Sequence, residues 1–276
     1  MEIIIKQKID TLNLNIRIQE DLSIITQKKN YEMIELYPKL QKIFKILNIP
    51  EEKFKMRDRR VSSKVLINYK DIFIDFKSVP PRPGQQINHS VKNLNLQLKG
   101  AYLLENDFNH VLNKFEELEV DSISKVEVAF DFVQKKEFIK DTMNVFLNHR
   151  EKITKLKGEN KIIFNFDYDK EQSIHYFNQS KCLKIYNKSL ELKNNKKRPI
   201  FYNKNPEFLN KEHFRVEISI SKSSIIDTNI KLKELLRMKT PEDNIIKIVK
   251  DYFFKDFKIN RNSELKTIIK HISLIE

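Results

Sequence analysis

A tyrosine between two lysines lies in the stretch whose residue types and spacing best suit chemistry. Residues 183–188 alternate apolar and polar side chains. Because side chains of a strand alternate with a period of two, Lys184, Tyr186 and Lys188 share one face. Cations near a phenol favour the phenolate and bind phosphate oxygens. The pattern therefore predicts Tyr186 as a nucleophile and the lysines as phosphate-binding groups, although it also fits a strand tyrosine with a solvated hydroxyl.

Two other predicted strands carry a polar face of the same kind. Their apolar positions alternate with polar residues, which include Glu127, Asp131, Arg215 and Glu217. Carboxylates that converge near a tyrosine form an oxygen site suited to Mg²⁺ or Mn²⁺. We therefore predict Glu127, Glu217 and Asp131 as metal ligands. Charged pairs between strands, such as Glu217 with Lys184, are also ordinary on a solvated sheet face.

The charge balance predicts a polyanionic partner. The 276 residues include 52 Lys and Arg against 38 Asp and Glu, a net charge of +14. Such an excess favours nucleic acid first and an anionic membrane second. The residues predicted to contact DNA are Arg215 and those of two basic segments, Arg57, Arg59, Arg60 and Lys64 in one and Lys193, Lys196, Lys197 and Arg198 in the other.

Several classes of protein are excluded by residue counts. One cysteine, Cys182, rules out an intramolecular disulfide framework and a cysteine-rich zinc site. Three glycines do not make a glycine-rich phosphate loop, and the six histidines lack zinc-hydrolase spacing. We find no apolar run of the ~20 residues that a membrane span needs, and no signal segment. These features predict a cytoplasmic protein with no membrane partner.

The sequence pattern predicts that strands interrupted by helices, and then a run of helices, position these residues. The first strand covers residues 9–18, with Leu12, Leu14, Ile16 and Ile18 facing the core. The other predicted strands are a hairpin at 64–76 and strands at 94–100, 124–132, 161–168, 174–188 and 214–220. The predicted helices are 38–47, 107–118, 137–149, 223–238, 241–257 and 262–275.

This order predicts an α+β fold. We expect a mostly antiparallel sheet with helices packed on one face, an open polar face, and a helical C-terminal part. The predicted domains are a catalytic one at 1–222 and a helical region at 223–276, which would serve DNA binding or dimerisation.

Five short stretches follow one another along the chain: Ile9-Asp10-Thr11-Leu12, Leu96-Gln97-Leu98-Lys99-Gly100, Lys125-Val126-Glu127 with Asp131, Lys184-Ile185-Tyr186-Asn187-Lys188 and Arg215-Val216-Glu217. In this order they resemble the Rep-trans type of rolling-circle replication initiators. That family includes plasmid initiators and integrative-element relaxases, with filamentous-phage gene II proteins more distant. The departures from the family pattern are Lys125 for arginine, Glu127 for aspartate, Gln97 for an acid, and a short loop without glycine before the tyrosine strand.

The resemblance implies an enzyme that nicks origin DNA. Tyr186 would attack a phosphodiester, keep the 5′ phosphate and release a 3′ hydroxyl as a primer, with Mg²⁺ or Mn²⁺ held by Glu127, Glu217 and Asp131. A host helicase and a second copy of the chain are further partners to expect. Two alternatives stay open: a non-catalytic origin-binding or regulatory protein on the same scaffold, and an RNA-binding protein that uses the sheet face.

Overall fold

The chain folds into two compact units. Its computed structural model describes residues 4–25, 36–50, 56–59, 62–76, 88–133, 161–167, 171–177, 180–193, 195, 198–221, 225, 234 and 237–255. The first unit combines the chain up to Thr11 with the chain from Lys125 onward, and the second consists of Leu12–Ser124. The second unit is thus an insertion in the sequence of the first.

Most of the described chain is strand. The strands are β1 (Ile4–Ile25), β2 (Met56–Arg59), β3 (Ser62–Tyr69), β4 (Ile72–Phe76), β5 (Asn88–Lys99), β6 (Val120–Val133), β7 (Lys161–Asp167), β8 (Glu171–Phe177), β9 (Lys181–Asn187) and β10 (His213–Ser221). The described helices are α1 (Leu36–Leu47), α2 (Gly100–Glu105), α3 (Phe108–Glu117), α4 (Lys188–Lys193), α5 (Arg198–Lys204) and α6 (Pro241–Lys255), with a 3₁₀ turn at Pro206–Phe208.

The first unit contains the strand order β1-β6-β10-β9-β8-β7. Strands β6, β10, β9, β8 and β7 pair antiparallel in succession. Helix α6 packs against β10 and buries Ile245, Val249 and Phe253, which recur every four residues and so form one face of the helix. The predicted α+β class with a mostly antiparallel sheet is therefore confirmed.

The second unit contains the order β2-β3-β4-β5-β1. Its β3–β4 hairpin turns at Lys70 and Asp71, whose φ angles of 45° and 64° suit the tight turn between twisted strands. The Asp71 carboxylate accepts a hydrogen bond from the Ala101 amide at 2.9 Å, at the start of α2. The predicted hairpin and the strand that ends at Gly100 are both present.

The polar face is more enclosed than the sequence predicts. On β10 the polar residues Arg215, Glu217 and Ser219 are as buried as the apolar ones between them. Helix α5 and the 3₁₀ turn follow the tyrosine strand in a region where no helix was predicted, and their Phe201 and Phe208 rings pack on His213. Aromatic residues thus cover one end of the face that we expected to be open.

Several predicted helices lie partly or wholly outside the residues that the structure describes. The predicted helices at 137–149 and 262–275, and the boundary at 222/223, lie outside the described residues. The predicted helix at 223–238 is described only in part, whereas the one at 241–257 is α6. Since α6 packs on β10, this part of the C-terminal region belongs to the same unit as the tyrosine strand.

Candidate active site

Strand register brings the three predicted polar stretches side by side. Arg215 of β10 pairs with Asp131 of β6 on one side and with Tyr186 of β9 on the other. Two residues along β10, Glu217 pairs with Ala129 and with Lys184. Because alternate residues share a face, the polar side chains of β6, β9 and β10 form one cluster at the centre of this sheet.

Three carboxylates meet in this cluster. One oxygen from each of Asp10, Glu127 and Glu217 lies within 4.8 Å of the others. Thr11 donates a hydrogen bond to Glu127 at 3.3 Å. Oxygens bound to one small divalent ion at ~2.1 Å lie at most ~4.2 Å apart, so side-chain shifts of a few tenths of an ångström would suffice. The all-oxygen donor set fits Mg²⁺ or Mn²⁺.

Two lysines neutralise these carboxylates. The Lys184 ammonium lies 2.9 Å from Glu217 Oε2 and 3.2 Å from Glu127 Oε2, and Lys125 lies 3.0 Å from Glu127. The lysine side chains keep 28% and 30% of their surface exposed, against 5% and 6% for the glutamates. The carboxylates are therefore buried below a rim of cations that reach solvent.

Arg215, which is itself buried, makes further ion pairs with Asp131 and Asp10. Its guanidinium donates to both oxygens of Asp131 at 2.6 and 2.7 Å and to Asp10 at 2.8 Å. Bidentate pairs of this kind fix geometry as well as charge. Arg215 thus ties β10 to β6 and to β1 and orients Asp10 toward Glu217.

The Tyr186 hydroxyl points into the carboxylate cluster and donates a hydrogen bond to Glu217 Oε1 at 2.6 Å. Burial raises the pKa of Tyr186 well above its ordinary value, Arg215 opposes that rise, and Glu217 and Asp10 add to it. The resting side chain is therefore a neutral phenol, and it needs a proton acceptor before it can act as a nucleophile.

Glu217 is the carboxylate most ready to take a proton. Burial together with Asp10 and Glu127 raises its pKa above the ordinary value. Burial is the largest influence on the pKa of Asp10 and Glu127 and acts to raise it. The neighbouring cations together outweigh burial, led by Arg215 for Asp10 and by Lys184 with Lys125 for Glu127, so both pKa values lie below their ordinary values. The acceptor of the tyrosine proton is thus the most basic member of the cluster.

Lys188 is the first residue of α4 and is buried. Its ammonium pairs with Glu191 and lies 5.6 Å from the centre of the Tyr186 ring and 5.8 Å from that of Phe201. Lys8 lies over the same Phe201 ring at 5.2 Å, and burial lowers its pKa to about 8. The Phe201 ring therefore covers one end of the candidate site, next to the ammonium groups of Lys8 and Lys188.

The residues predicted to contact DNA are placed differently from one another. Arg215 is 2% exposed and bonded to aspartates, so its guanidinium meets protein carboxylates where we predicted DNA. Lys193 and Arg198 are exposed. Arg57 in β2 pairs in register with Lys64 in β3, and Arg59 pairs with Ser62. Arg60, Lys196 and Lys197 lie outside the described residues.

Asp131 does not take the place predicted for it, and Asp10, for which no role was predicted, stands there instead. Asp131 was predicted as a metal ligand, but both its oxygens bond to Arg215. The third member of the carboxylate cluster is Asp10. Strict alternation back from Leu12 puts Asp10 on the apolar side. In the structure Ile9 and Leu12 are both buried, and the neighbours Asp10 and Thr11 both contact the polar cluster.

No protein-family model and no curated protein sequence matches this chain. Among solved structures it is similar to a rolling circle replication initiator protein from Geobacillus stearothermophilus, at 12% identity and a TM-score of 0.52. The likeness covers 98% of this chain and 97% of that one. This chain has the fold of a rolling-circle replication initiator.

The initiator fold is thus the one that the five ordered stretches predict. Four of those stretches lie on the strands of the candidate active site, namely β1, β6, β9 and β10. In the part of the chain that the structure describes, no helix is long and apolar enough to cross a membrane.

Proposed function

We propose that this protein initiates rolling-circle replication by nicking DNA with Tyr186. The hydroxyl oxygen attacks a phosphodiester, forming a bond to phosphorus and displacing the 3′ oxygen, which leaves as a 3′ hydroxyl after it takes a proton. The energy of the phosphodiester is kept in the 5′-phosphotyrosine link, so the strand can be rejoined. The 3′ hydroxyl then primes synthesis.

One observation carries the proposal: the Tyr186 hydroxyl donates at 2.6 Å to Glu217, a member of a buried cluster of three carboxylates. A phenol becomes a nucleophile when a positioned base takes its proton. Glu217 Oε1 is within reach of that proton. The fold similarity supports the same function independently.

Asp10, Glu127 and Glu217 would hold a divalent metal. When bound, the metal would polarise the phosphoryl oxygens and offset the charge that develops on them. The chain's own residues do the rest: Arg215 orients Asp10, and Lys125 and Lys184 place positive charge at the exposed rim. Catalysis by such a site is mostly positioning and charge stabilisation.

DNA would be held by the basic segments. In the β2–β3 pair, Arg57 is in register with Lys64, so the two basic residues stand at neighbouring positions of adjacent strands. The exposed Lys193 and Arg198, which flank the site in sequence, would supply further phosphate contacts.

A second function, origin binding without catalysis, is favoured by the charge balance of the cluster. Lys125, Lys184 and Arg215 already neutralise the three carboxylates. A polar network that only stabilises the sheet would also be buried and fully paired. Such a protein would bind DNA through its basic segments and leave the strands intact.

The two functions are separated by a covalent capture experiment. The protein is incubated with Mn²⁺ and labelled DNA, either random single strands labelled at the 3′ end or supercoiled plasmid that carries its own gene and is labelled internally. The nicking function gives a labelled protein band that survives denaturation and a phosphorylated peptide containing Tyr186. Binding without any adduct favours the second function.

The matched control for Tyr186→Phe is Tyr202→Phe, which removes the same hydroxyl from another tyrosine of this unit. We expect the adduct to fall by roughly a thousandfold in Tyr186→Phe and to be unchanged in Tyr202→Phe. An adduct of normal yield in Tyr186→Phe would show that another residue is the nucleophile.

A further inference from the structure

Lys184 lies where the candidate site would hold its metal. Its ammonium bonds to Glu217 Oε2 at 2.9 Å and to Glu127 Oε2 at 3.2 Å, two of the three carboxylates of the cluster. An ammonium and a divalent ion both need these oxygens. An ammonium at 2.9–3.2 Å from these oxygens uses one lone pair of each and repels a divalent cation that would bind the same two carboxylates.

The three carboxylates need a cation in this place. Glu127 and Glu217 are 5% and 4% exposed, and ionised carboxylates buried together without compensation are strongly destabilising. Arg215 is committed to Asp131 and Asp10, and Lys125 reaches only Glu127 among the carboxylates of the cluster. Lys184 alone among the described lysines bridges both glutamates.

The Lys184 ammonium can also move away from the two glutamates. More than a quarter of its side chain, 28%, is exposed, and its flexible four-carbon stem allows the ammonium to move outward without moving β9. By contrast, Arg215 has a side chain only 2% exposed and is held by bidentate bonds. Of these two cations, Lys184, which bridges the glutamates, is therefore the one whose charged group can move into solvent.

We propose that Lys184 is a built-in counter-ion that holds the carboxylate cluster together before metal binds, and that a divalent metal enters by displacing it. This inference rests on the proposed metal-dependent function and adds a regulatory role to one residue of that site. The displaced ammonium is then available to a DNA phosphate, which is the role that the sequence predicts for it. Metal binding would thus prepare the site for DNA.

The test compares Mn²⁺ affinity in Lys184→Met and Lys125→Met, measured by electron paramagnetic resonance of free Mn²⁺. Both variants lose one positive charge bonded to Glu127, but only Lys184→Met vacates the position between the two glutamates. A charge-assisted hydrogen bond shifts an equilibrium by roughly tenfold. We expect Lys184→Met to bind Mn²⁺ roughly tenfold more tightly than Lys125→Met. Equal affinities in the two variants, or weaker binding in Lys184→Met, would overturn the inference.

A second measurement uses the wild-type side chain, so that it does not depend on the folding of a variant. The Lys184 side-chain signal is assigned by its loss in Lys184→Arg and followed by nuclear magnetic resonance during Mg²⁺ addition. Displacement predicts that the signal moves to the position of a solvated lysine as the site saturates. A signal that stays in place while Mg²⁺ binds would also overturn the inference.

These outcomes are distinct from failure of the proposed function. If wild type and both methionine variants bind no Mn²⁺, the metal site itself is absent, and with it the metal-dependent part of the proposal. If wild type binds Mn²⁺ and nicks DNA while the two variants bind Mn²⁺ equally, only the displacement is wrong.

Discussion

Tyr186 pairs with Arg215 in the register of β9 and β10, yet its hydroxyl donates to Glu217, two residues further along β10. This diagonal contact arises because Arg215 points to Asp131 and Asp10 instead. A diagonal neighbour across an antiparallel pair is within reach of a long aromatic side chain. Because the Arg215 guanidinium is bonded to the two aspartates, the Tyr186 hydroxyl bonds to Glu217, a carboxylate that can accept a proton.

Asp10 is expected to be a metal ligand. In Asp10→Asn one carboxylate of the cluster is lost while the shape is kept, so we expect Mn²⁺ affinity to fall by roughly tenfold or more. The measurement is a Mn²⁺ titration by electron paramagnetic resonance. Asp243→Asn, an exposed change at the start of α6, is the control. Normal affinity in Asp10→Asn would leave Asp10 with a role only in holding Arg215.

Arg215 is expected to stabilise the fold rather than to bind DNA directly. Arg215→Met leaves Asp131 and Asp10 buried without their cation, which should lower the free energy of unfolding by about 3–5 kcal/mol. Urea denaturation measures the loss, with the exposed Arg198→Met as control. A loss below about 1 kcal/mol would indicate that solvent or Lys8 replaces the guanidinium.

His213 is expected to make stability depend on pH. It is fully buried, and burial lowers its pKa below the ordinary value of 6.5. The unfolded chain therefore takes up a proton that the folded chain does not, and stability present above pH 6.5 is lost as the pH falls through that value toward the folded pKa. We expect a lower urea midpoint at about pH 5.5 than at about pH 7.5.

The control for His213 retains a ring. His213→Phe can still stack on Phe201 but cannot titrate, so its midpoint should depend less on pH than that of wild type. His110→Phe changes an exposed histidine and should keep the wild-type dependence. If the urea midpoints of all three proteins change equally with pH, groups other than His213 cause the pH dependence of stability.

The β2–β3 pair is expected to bind DNA phosphates. Changing Arg57 and Lys64 together to serine should weaken DNA binding and reduce the slope of log affinity against log salt by about 2, one for each lost phosphate contact. Fluorescence anisotropy at several salt concentrations measures this slope. The exposed Lys42 and Lys45 of α1, changed to serine in the same way, are the control. An unchanged slope in the first variant would remove this pair from the DNA interface.

The sequence predicted the elements around the site because they depend on local patterns. Alternation on β6, β9 and β10 correctly placed Glu127, Tyr186 and Glu217 on a shared face, and register then brought them together. These strands repeat apolar and polar residues without interruption, so period-two reasoning works on them. The α+β class followed from the same patterns.

The sequence did not predict what depends on distant parts of the chain. Asp10 was missed because the alternation of β1 shifts between Asp10 and Thr11. The enclosure of the polar face was missed because Phe201 and Phe208 come from short helical segments for which the sequence showed no periodic pattern. Whether Asp131 meets a metal or an arginine depends on Arg215, 84 residues later.

The bond between Arg215 and Asp10 spans 205 positions of the chain. A ribosome adds about 5–20 residues each second, so roughly 10–40 s separate the synthesis of these partners. During that interval the nascent chain lacks β10, and with it Arg215 and Glu217. The buried polar network around Asp10 and Asp131 therefore cannot assemble until β10 has been synthesised, long after β1 and β6.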